Sequence, residues 1–479
     1  MKFFKNGKMV ALVLLMALCL VFAAACNRER DEDESGNGAP VANDDDVVST
    51  AGLHAPRDLG GRTLRFHSWW DGSQTFVNAG EAPDPATAGN YYAERRVWEN
   101  TQRVMQEFNI SFDFGLTDFG YNIPTLTTAV MAGAPNSELH FVDGTGSLIT
   151  ALGDIIVPID SINLPGSDLL GPRVYSQVRV ETLGHLWTFG PNEPNPGAMT
   201  MGVNLDIINA IGAPNPVELY NAGQWNWANA LDIMRNATAD TTGDGTIDRW
   251  GLAGQPGDII AYFIGGNDGI LVTDDLNFGM DHPNTVEALE FMELIFREGL
   301  WEFCPVQGAD PGDWGRNFWA AHDGNSALFS ASYWTLNYGD LPFEFAIVPF
   351  PTGPSNTSGN TWMGGWQQGF SIPTANANWT PAEVLMIFEE LVSWPGDEPE
   401  LLAEDVHNML RARYPTEADM MRQLNATNTM ANEMGMVVPE YFWVLGDFVG
   451  YFLRQEMTVS QALEAHRGPR QELLDNFFR

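Results

Sequence analysis

The chain has 479 residues, of which 44% are hydrophobic and three are cysteine, enough for two domains with full cores and unlike a small disulfide-stapled scaffold. Its formal net charge is −38, and its only lysines are Lys2, Lys5 and Lys8, so Schiff-base lysine chemistry and a P-loop lysine are both excluded. From Cys26 onward 21 arginines face 62 acidic residues, a balance of −41 that repels nucleic acid and anionic lipid and keeps an exported protein soluble.

The first elements read as export machinery. Met1 to Lys8 is basic, Met9 to Ala25 is apolar and uncharged, and the stretch closes on Ala23, Ala24, Ala25 and Cys26. That layout is a lipoprotein-type signal peptide over residues 1–25, with Cys26 as the lipid anchor. The usual leucine three residues before the cysteine is replaced by Ala23, so secretion without a lipid is the alternative. An acylated Cys26 holds the chain on the outer face of the cell membrane without a spanning segment. It also leaves no disulfide partner for Cys304, which reads as a buried apolar residue. Residues 26–57 are acidic and rich in Gly and Pro, the composition of a disordered linker.

Folded structure is expected to begin at "RTLRFHSWW", where Leu64, Phe66 and Ser68 alternate as in a strand. In "AERRVWENTQRVMQEFN", Val97, Thr101, Val104, Met105 and Phe108 share a helical face, and "ISFDF" returns as a strand. "PTLTTAVMAGAP" reads as a helix closed near Gly133, and "ELHFVD" as a buried strand. This β, α, β, α, β order predicts an α/β unit with a largely parallel sheet. A second set starts near Pro194 with "AMTMGVN", followed by a helix opened by Asn226 with Trp227, Leu231 and Met234 inward, and then "WGLAG". The helix "TVEALEFMELIFREGL" and the strands "SALFSASYW", "FEFAIVPFP" and "GFSIPT" follow, and helices dominate to the end.

Between that helix and "WGLAG" lies "ADTTGDGTIDRWG". Asp240, Thr242, Asp244, Gly245 and Asp248 fill the first, third, fifth, sixth and ninth positions of a calcium loop, but Gly251 stands where the closing bidentate acid belongs. A structural turn is the favoured reading, with calcium the weaker candidate.

Several of these stretches, in this order, resemble the extracellular solute-binding proteins of ATP-driven (ABC) importers, in the sugar-binding, maltose-binding-like branch. They are the lipoprotein-like start, "LRFHSWW", "LTTAVMAGAPNSELHFVDG", "MGVNLDIINAIGAPNP", "WNWANALDIMRNATADTTGDGTIDRWGLAG", "NSALFSASYW", "FEFAIVPFPTGP" and "GGWQQGFSIPTANANWTPAEVLMIFEELV". The resemblance implies a two-lobed α/β fold whose lobes are joined by crossing segments and close on a ligand. Lobe 1 is expected over 58–193 plus 350–430, and lobe 2 over 194–349 plus 431–479. The implied partners are a sugar or oligosaccharide and the permease subunits of an importer, with no cofactor, no nucleic acid and a monomeric chain.

Sixteen tryptophans suit that expectation, since their rings stack on the C–H faces of sugars while Asp, Asn and Gln bind hydroxyls. Trp69 and Trp70 close the first strand, and Asp143 and Gly144 end the "ELHFVD" strand, where open α/β sheets bind ligands. Asp143 can equally cap the next helix. Gly365, Trp366 and Gln367 combine close backbone approach, a ring face and an amide. Trp334 and Trp443 resemble family segments that deliver aromatics to the cleft, and Tyr262 completes the expected ligand contacts. No His-Glu-x-x-His, Gly-x-Ser-x-Gly or paired-cysteine metal motif appears, so no catalytic residue is nominated. A receptor for a peptide or polyamine, or an exported polysaccharide-degrading enzyme, are the rival readings.

Overall fold

A computed structural model describes residues 52–69, 77–85, 91–167, 174–175, 185–191, 199–302, 320–331, 336, 341–359, 361, 368–392, 420, 445, 447–448, 450–451 and 457–478. Two mixed sheets carry the architecture. In the first, β1 (Arg62–Ser68) lies between β2 (Ile110–Leu116) and β3 (Leu139–Asp143), parallel to both. Helix α1 (Tyr91–Phe108) links β1 to β2, and α2 (Phe119–Met131) links β2 to β3, each connection being a parallel crossover. On the expected face of α1, Val97, Thr101, Val104 and Phe108 are buried. Helix α3 (Gly144–Leu152) follows β3 directly, and the short strands β4 (Val174–Tyr175) and β5 (Gly190–Pro191) pair with each other.

The second sheet contains β6 (Thr200–Asn204), β7 (Trp250–Ala253), β8 (Trp301–Glu302), β9 (Ser326–Ala331) and β10 (Phe345–Val348), in the order β10-β6-β9-β7-β8. Its helices are α4 (Leu205–Ile211), α5 (Pro216–Asn221), α6 (Trp227–Ala237), α7 (Pro256–Gly265) and α8 (Pro283–Arg297). Asn226 accepts the Asn229 backbone N–H and so caps α6, while Trp227, Leu231 and Met234 point inward as the pattern requires. The chain then returns to the first sheet. Strand β11 (Gln368–Ser371) pairs antiparallel with β3, and α9 (Pro381–Val392) packs on α1; α10 (Val459–Phe478) packs on α8.

One core gathers Leu64, Phe66, Phe108, Leu139, Phe370 and Phe388. The larger one contains Met201, Val203, Met234, Leu252, Phe263 and Leu289, and extends to Leu126, Val142 and Leu148. Residues 52–57, read from composition as the end of the spacer, lie against α9. The His54 backbone N–H donates to the buried Glu390, His54 Nε2 lies 2.7 Å from Glu389 Oε2, and Arg57 is 3.5 Å from Glu383.

Candidate functional site

Because β1, β2 and β3 are parallel, their carboxyl ends share one edge of the first sheet, and antiparallel β11 begins there with Gln368 opposite Asp143. Trp69 sits on this edge, half-buried, with its ring 5.0 Å from that of Phe141 and tilted by 47°. Asp143 caps α3. Its carboxylate accepts the Gly146 N–H at 2.6 Å, and burial raises its pKa while that hydrogen bond lowers it. A side chain at Gly146 would meet Ile123 at 2.5 Å, so Gly146 lets the first turns of α2 and α3 approach closely; Gly144 is the buried first residue of α3.

Behind the edge, His67 and His140 are register partners on β1 and β3, stacked at 4.9 Å with planes 16° apart. His140 Nε2–H donates to Asn122 Oδ1 at 2.9 Å, and the Ser137 hydroxyl lies 3.0 Å from its Nδ1. Burial, and then the His67 charge, hold the pKa of His140 down at about 3; burial lowers His67 as well. Both rings are therefore neutral at pH 7.

In the second sheet β7, β8 and β9 run parallel, so Ala253, Glu302 and Ala331 mark its carboxyl edge. Antiparallel β6 starts at that edge, with Thr200 opposite Ala331, and β10 ends there, with Val348 opposite Met201. The sequence reading missed two groups at this edge. Gln255 stands at the N-cap position of α7 without a side-chain capping bond, and its buried Oε1 has no hydrogen-bond partner among the described residues. In the first turn of the same helix, burial pushes the Asp258 carboxyl up to about 7, so near neutral pH it retains an O–H that can donate. Gly254 has φ +134°, and a Cβ there would lie 2.1 Å from Ser330 Oγ, so only glycine lets β7 pass this close to β9 on the way to Gln255. The signal was present in "GQPGD": proline at the first helical position after a strand marks a helix N-terminus at a sheet's carboxyl edge.

Tyr262, expected as a ligand contact, is 3% exposed. Its ring stacks on Phe350 at 4.9 Å, and its hydroxyl accepts the Met199 N–H at 3.1 Å. Those contacts tie the chain entering β6 to the chain leaving β10. Trp70, Trp334, Gly365, Trp366, Gln367, Trp443 and Cys26 lie outside the described residues.

The two edges are linked. Phe189 pairs antiparallel with Phe370 of β11, so the chain leaves the first sheet at its carboxyl edge before reaching the carboxyl edge of the second at Thr200. The return from Val348 to Gln368 likewise runs from one carboxyl edge to the other. On the outward crossing eight residue steps separate Pro191 from Met199, which therefore lie no more than about 29 Å apart.

The aspartate loop is a self-contained turn. Asp240 accepts the Gly243 and Gly245 N–H groups at 2.7 and 2.6 Å, Asp244 accepts the Thr246 N–H at 2.8 Å, and Asp248 accepts the Thr241 N–H at 2.7 Å. The Gly245 hydrogen bond, above all, holds Asp240 below the ordinary carboxylate range. Among the described residues no group of three metal-ligating side chains forms. Millimolar calcium is expected to leave the thermal midpoint unchanged, whereas Asp240→Ala lowers it by removing these turn hydrogen bonds; differential scanning fluorimetry with and without chelator checks both.

No family model matches the sequence, and a search of curated proteins finds no match. Solved structures do match. The protein UgpB of Mycobacterium tuberculosis, in complex with glycerophosphocholine, aligns with TM-score 0.58 at 15% identity, over 87% of this chain and 99% of that one. The maltose/maltodextrin-binding domain of Bdellovibrio bacteriovorus bound to maltotriose aligns with TM-score 0.54 at 16% identity, over 87% and 99%. The GacH receptor of Streptomyces glaucescens, solved unliganded and with acarbose, aligns with TM-score 0.55 at 12% identity, over 87% and 99%. With its two mixed sheets joined edge to edge, the chain has the two-lobed α/β fold of the solute-binding proteins of ABC transporters.

Proposed function

We propose that the protein is a solute-binding receptor that captures a sugar or oligosaccharide outside the cell and hands it to the permease of an ABC importer, held at the membrane through Cys26. The observation that carries this reading is the double crossing between the carboxyl edges of the two sheets, which suits a ligand held by Trp69 and Asp143 on one side and by Gln255 and Asp258 on the other. Trp69 supplies a ring face for the C–H side of a pyranose. Asp143 and Gln255 accept hydroxyl protons, and protonated Asp258 donates to a hydroxyl oxygen. A neutral polyol satisfies all four groups without burying an unpaired charge. Most of the structural neighbours named above were solved with a sugar or sugar-like ligand, which accords with that choice. Trp334, Trp366, Gln367 and Trp443 are the further contacts proposed from sequence, in lobes bounded as given above.

Binding performs no chemistry. The ligand favours the closed arrangement only to the extent that it makes more contacts there than in the open one. A thermal-shift panel of mono- and oligosaccharides, peptides and polyamines, with product analysis of each mixture, tests the reading. The expected result is a rise in midpoint with a saccharide and no cleavage. A shift with peptide or polyamine alone, or any hydrolysis product, contradicts it.

A further inference from the structure

The chain that precedes β1 runs along the layer formed by α1 and α9, and its contacts gather at the carboxyl end of α9. There Glu389 and Glu390, consecutive in sequence, are both fully buried. Two carboxylates in the last turn of a helix face its negative end and repel each other, so their burial is costly unless each is paired and hydrogen-bonded. From α1, Arg103 Nη2 reaches Glu390 Oε2 at 2.8 Å, and Asn100 Nδ2 donates to the Glu390 and Leu391 carbonyls at 3.0 and 2.9 Å.

Further partners come from the residues before β1. The His54 backbone N–H donates to Glu390 Oε1, and His54 Nε2–H donates to Glu389 Oε2 at 2.7 Å, with only 9% of the His54 side chain exposed. The Ser167 hydroxyl donates to the other oxygen of Glu389. Gly52 passes so close that a Cβ there would stand 2.5 Å from Arg103 Nη1 and closer still to Glu390 Oε2. Arg57 lies 3.5 Å from Glu383, but half of its side chain is exposed, so this pair adds little. Leu59 is buried, and its N–H donates to the Phe108 carbonyl at 2.9 Å, which carries the same contact down to the start of β1.

We propose that residues 52–57 are a strap, latched by His54, that fastens the N-terminal tether to the α1–α9 layer and completes the burial of Glu389 and Glu390. His54 is the latch because it meets both carboxylates at once, one through its main chain and one through its ring, from a position sheltered from competing water. The tether then departs from the helical layer at Gly52 and not from β1. Opening the strap uncovers the two carboxylates, so the last turn of α9 is held more tightly while the strap is closed. That the fastened chain is a tether rests on the anchoring at Cys26 proposed above; the latch itself does not.

Hydrogen–deuterium exchange of the purified protein, read by mass spectrometry, provides the test. In the wild type the amides of residues 52–57 are expected to exchange at least about 100-fold more slowly than in the denatured chain. His54→Ala is expected to reduce that protection about ten-fold and to speed exchange in the last turn of α9, with β2 and β6 unchanged. His54→Gln, which keeps a side-chain donor, is expected to fall between the two, and Arg57→Ala to match the wild type. Exchange of residues 52–57 at the denatured rate in the wild type, or wild-type protection of either segment in His54→Ala, overturns the proposal. If His54→Ala also loses protection in β2 and β6 it has unfolded, and the wild-type and His54→Gln measurements decide. The experiment needs neither lipid nor sugar, so its failure leaves the receptor reading standing, and a protein that binds no sugar leaves the strap standing.

Discussion

Lowering the pH from 7 to 5 is expected to cost the wild type stability that His140→Gln does not lose. His140 is fully buried beside His67, and its folded pKa is about 3 against 6.5 for the free side chain. Below pH 6.5 the unfolded chain binds a proton that the folded chain refuses, so stability is complete above that value and falls as pH drops from there towards about 3. Over the 1.5 units between 6.5 and 5 one such histidine contributes roughly 2 kcal/mol, and His67, shifted in the same direction, adds to it. Asp258, held up at about 7 by burial, takes up a proton in the folded state over the same window and gains stability as pH falls, so the His140 contribution is read as the difference between wild type and His140→Gln. The Asn122 bond fixes the proton of His140 on Nε2, and a second proton on Nδ1 displaces the Ser137 hydroxyl that donates there. Urea denaturation at pH 7, 6 and 5 checks the expectation. Equal slopes for wild type and His140→Gln refute it.

Replacing Glu138 by alanine is expected to cost about 3 kcal/mol, the lower end of the range for breaking a buried ion pair, because Arg65 retains partial access to water. Glu138 is 1% exposed and accepts the Arg65 backbone N–H at 2.7 Å, Arg65 Nε at 3.1 Å and Arg65 Nη2 at 2.7 Å. Its hydrogen bonds are the main reason the Arg65 pKa is raised. Asn376, just beyond β11, reaches the same carboxylate at 3.4 Å, so one side chain joins β1, the entry to β3 and the exit from β11. Those strands carry Trp69, Asp143 and Gln368 at their other ends. Glu138→Gln keeps most of the hydrogen bonds and is expected to cost about half as much. Equilibrium unfolding of the two variants measures both values, and an alanine variant within 0.5 kcal/mol of wild type, the usual range for a surface change, refutes the assignment.

Much of the fold is legible in the residues themselves. The alternation of Leu64 and Phe66, the helical stripe of Val97, Thr101, Val104 and Phe108, and the Asn226 cap all report local periodicity or local hydrogen bonding, and each element forms where it is expected. Helix α2 begins five residues before Pro124, where the sequence pattern starts it. Its extra turn is held by Asn122, whose partners His140 and Phe141 lie on another element and leave no mark on local pattern. Asp143 illustrates the converse. A capping role was one of its two readings, and the Gly146 bond shows it, while the residue also stands at the carboxyl end of β3.

The site is less legible, for a physical reason. Phe350 and Met199, distant in sequence, decide where the ring and hydroxyl of Tyr262 go. Pro256 in "GQPGD" marks the helix start, but nothing local marks Gln255 and Asp258 themselves. Their significance depends on an unpartnered carbonyl oxygen and on burial, both properties of the assembled second sheet.

In the function proposed above, one saccharide is held by both carboxyl edges at once. Titrating a saccharide selected by the thermal-shift panel into the wild type, Trp69→Ala, Gln255→Ala and the double variant, well below their thermal midpoints, tests this most directly. Each single variant is expected to lose at least about ten-fold in affinity, the loss on removing a stacking ring or a buried hydrogen-bonding partner. Wild-type affinity in either single variant means the ligand touches only one sheet, and contradicts the claim.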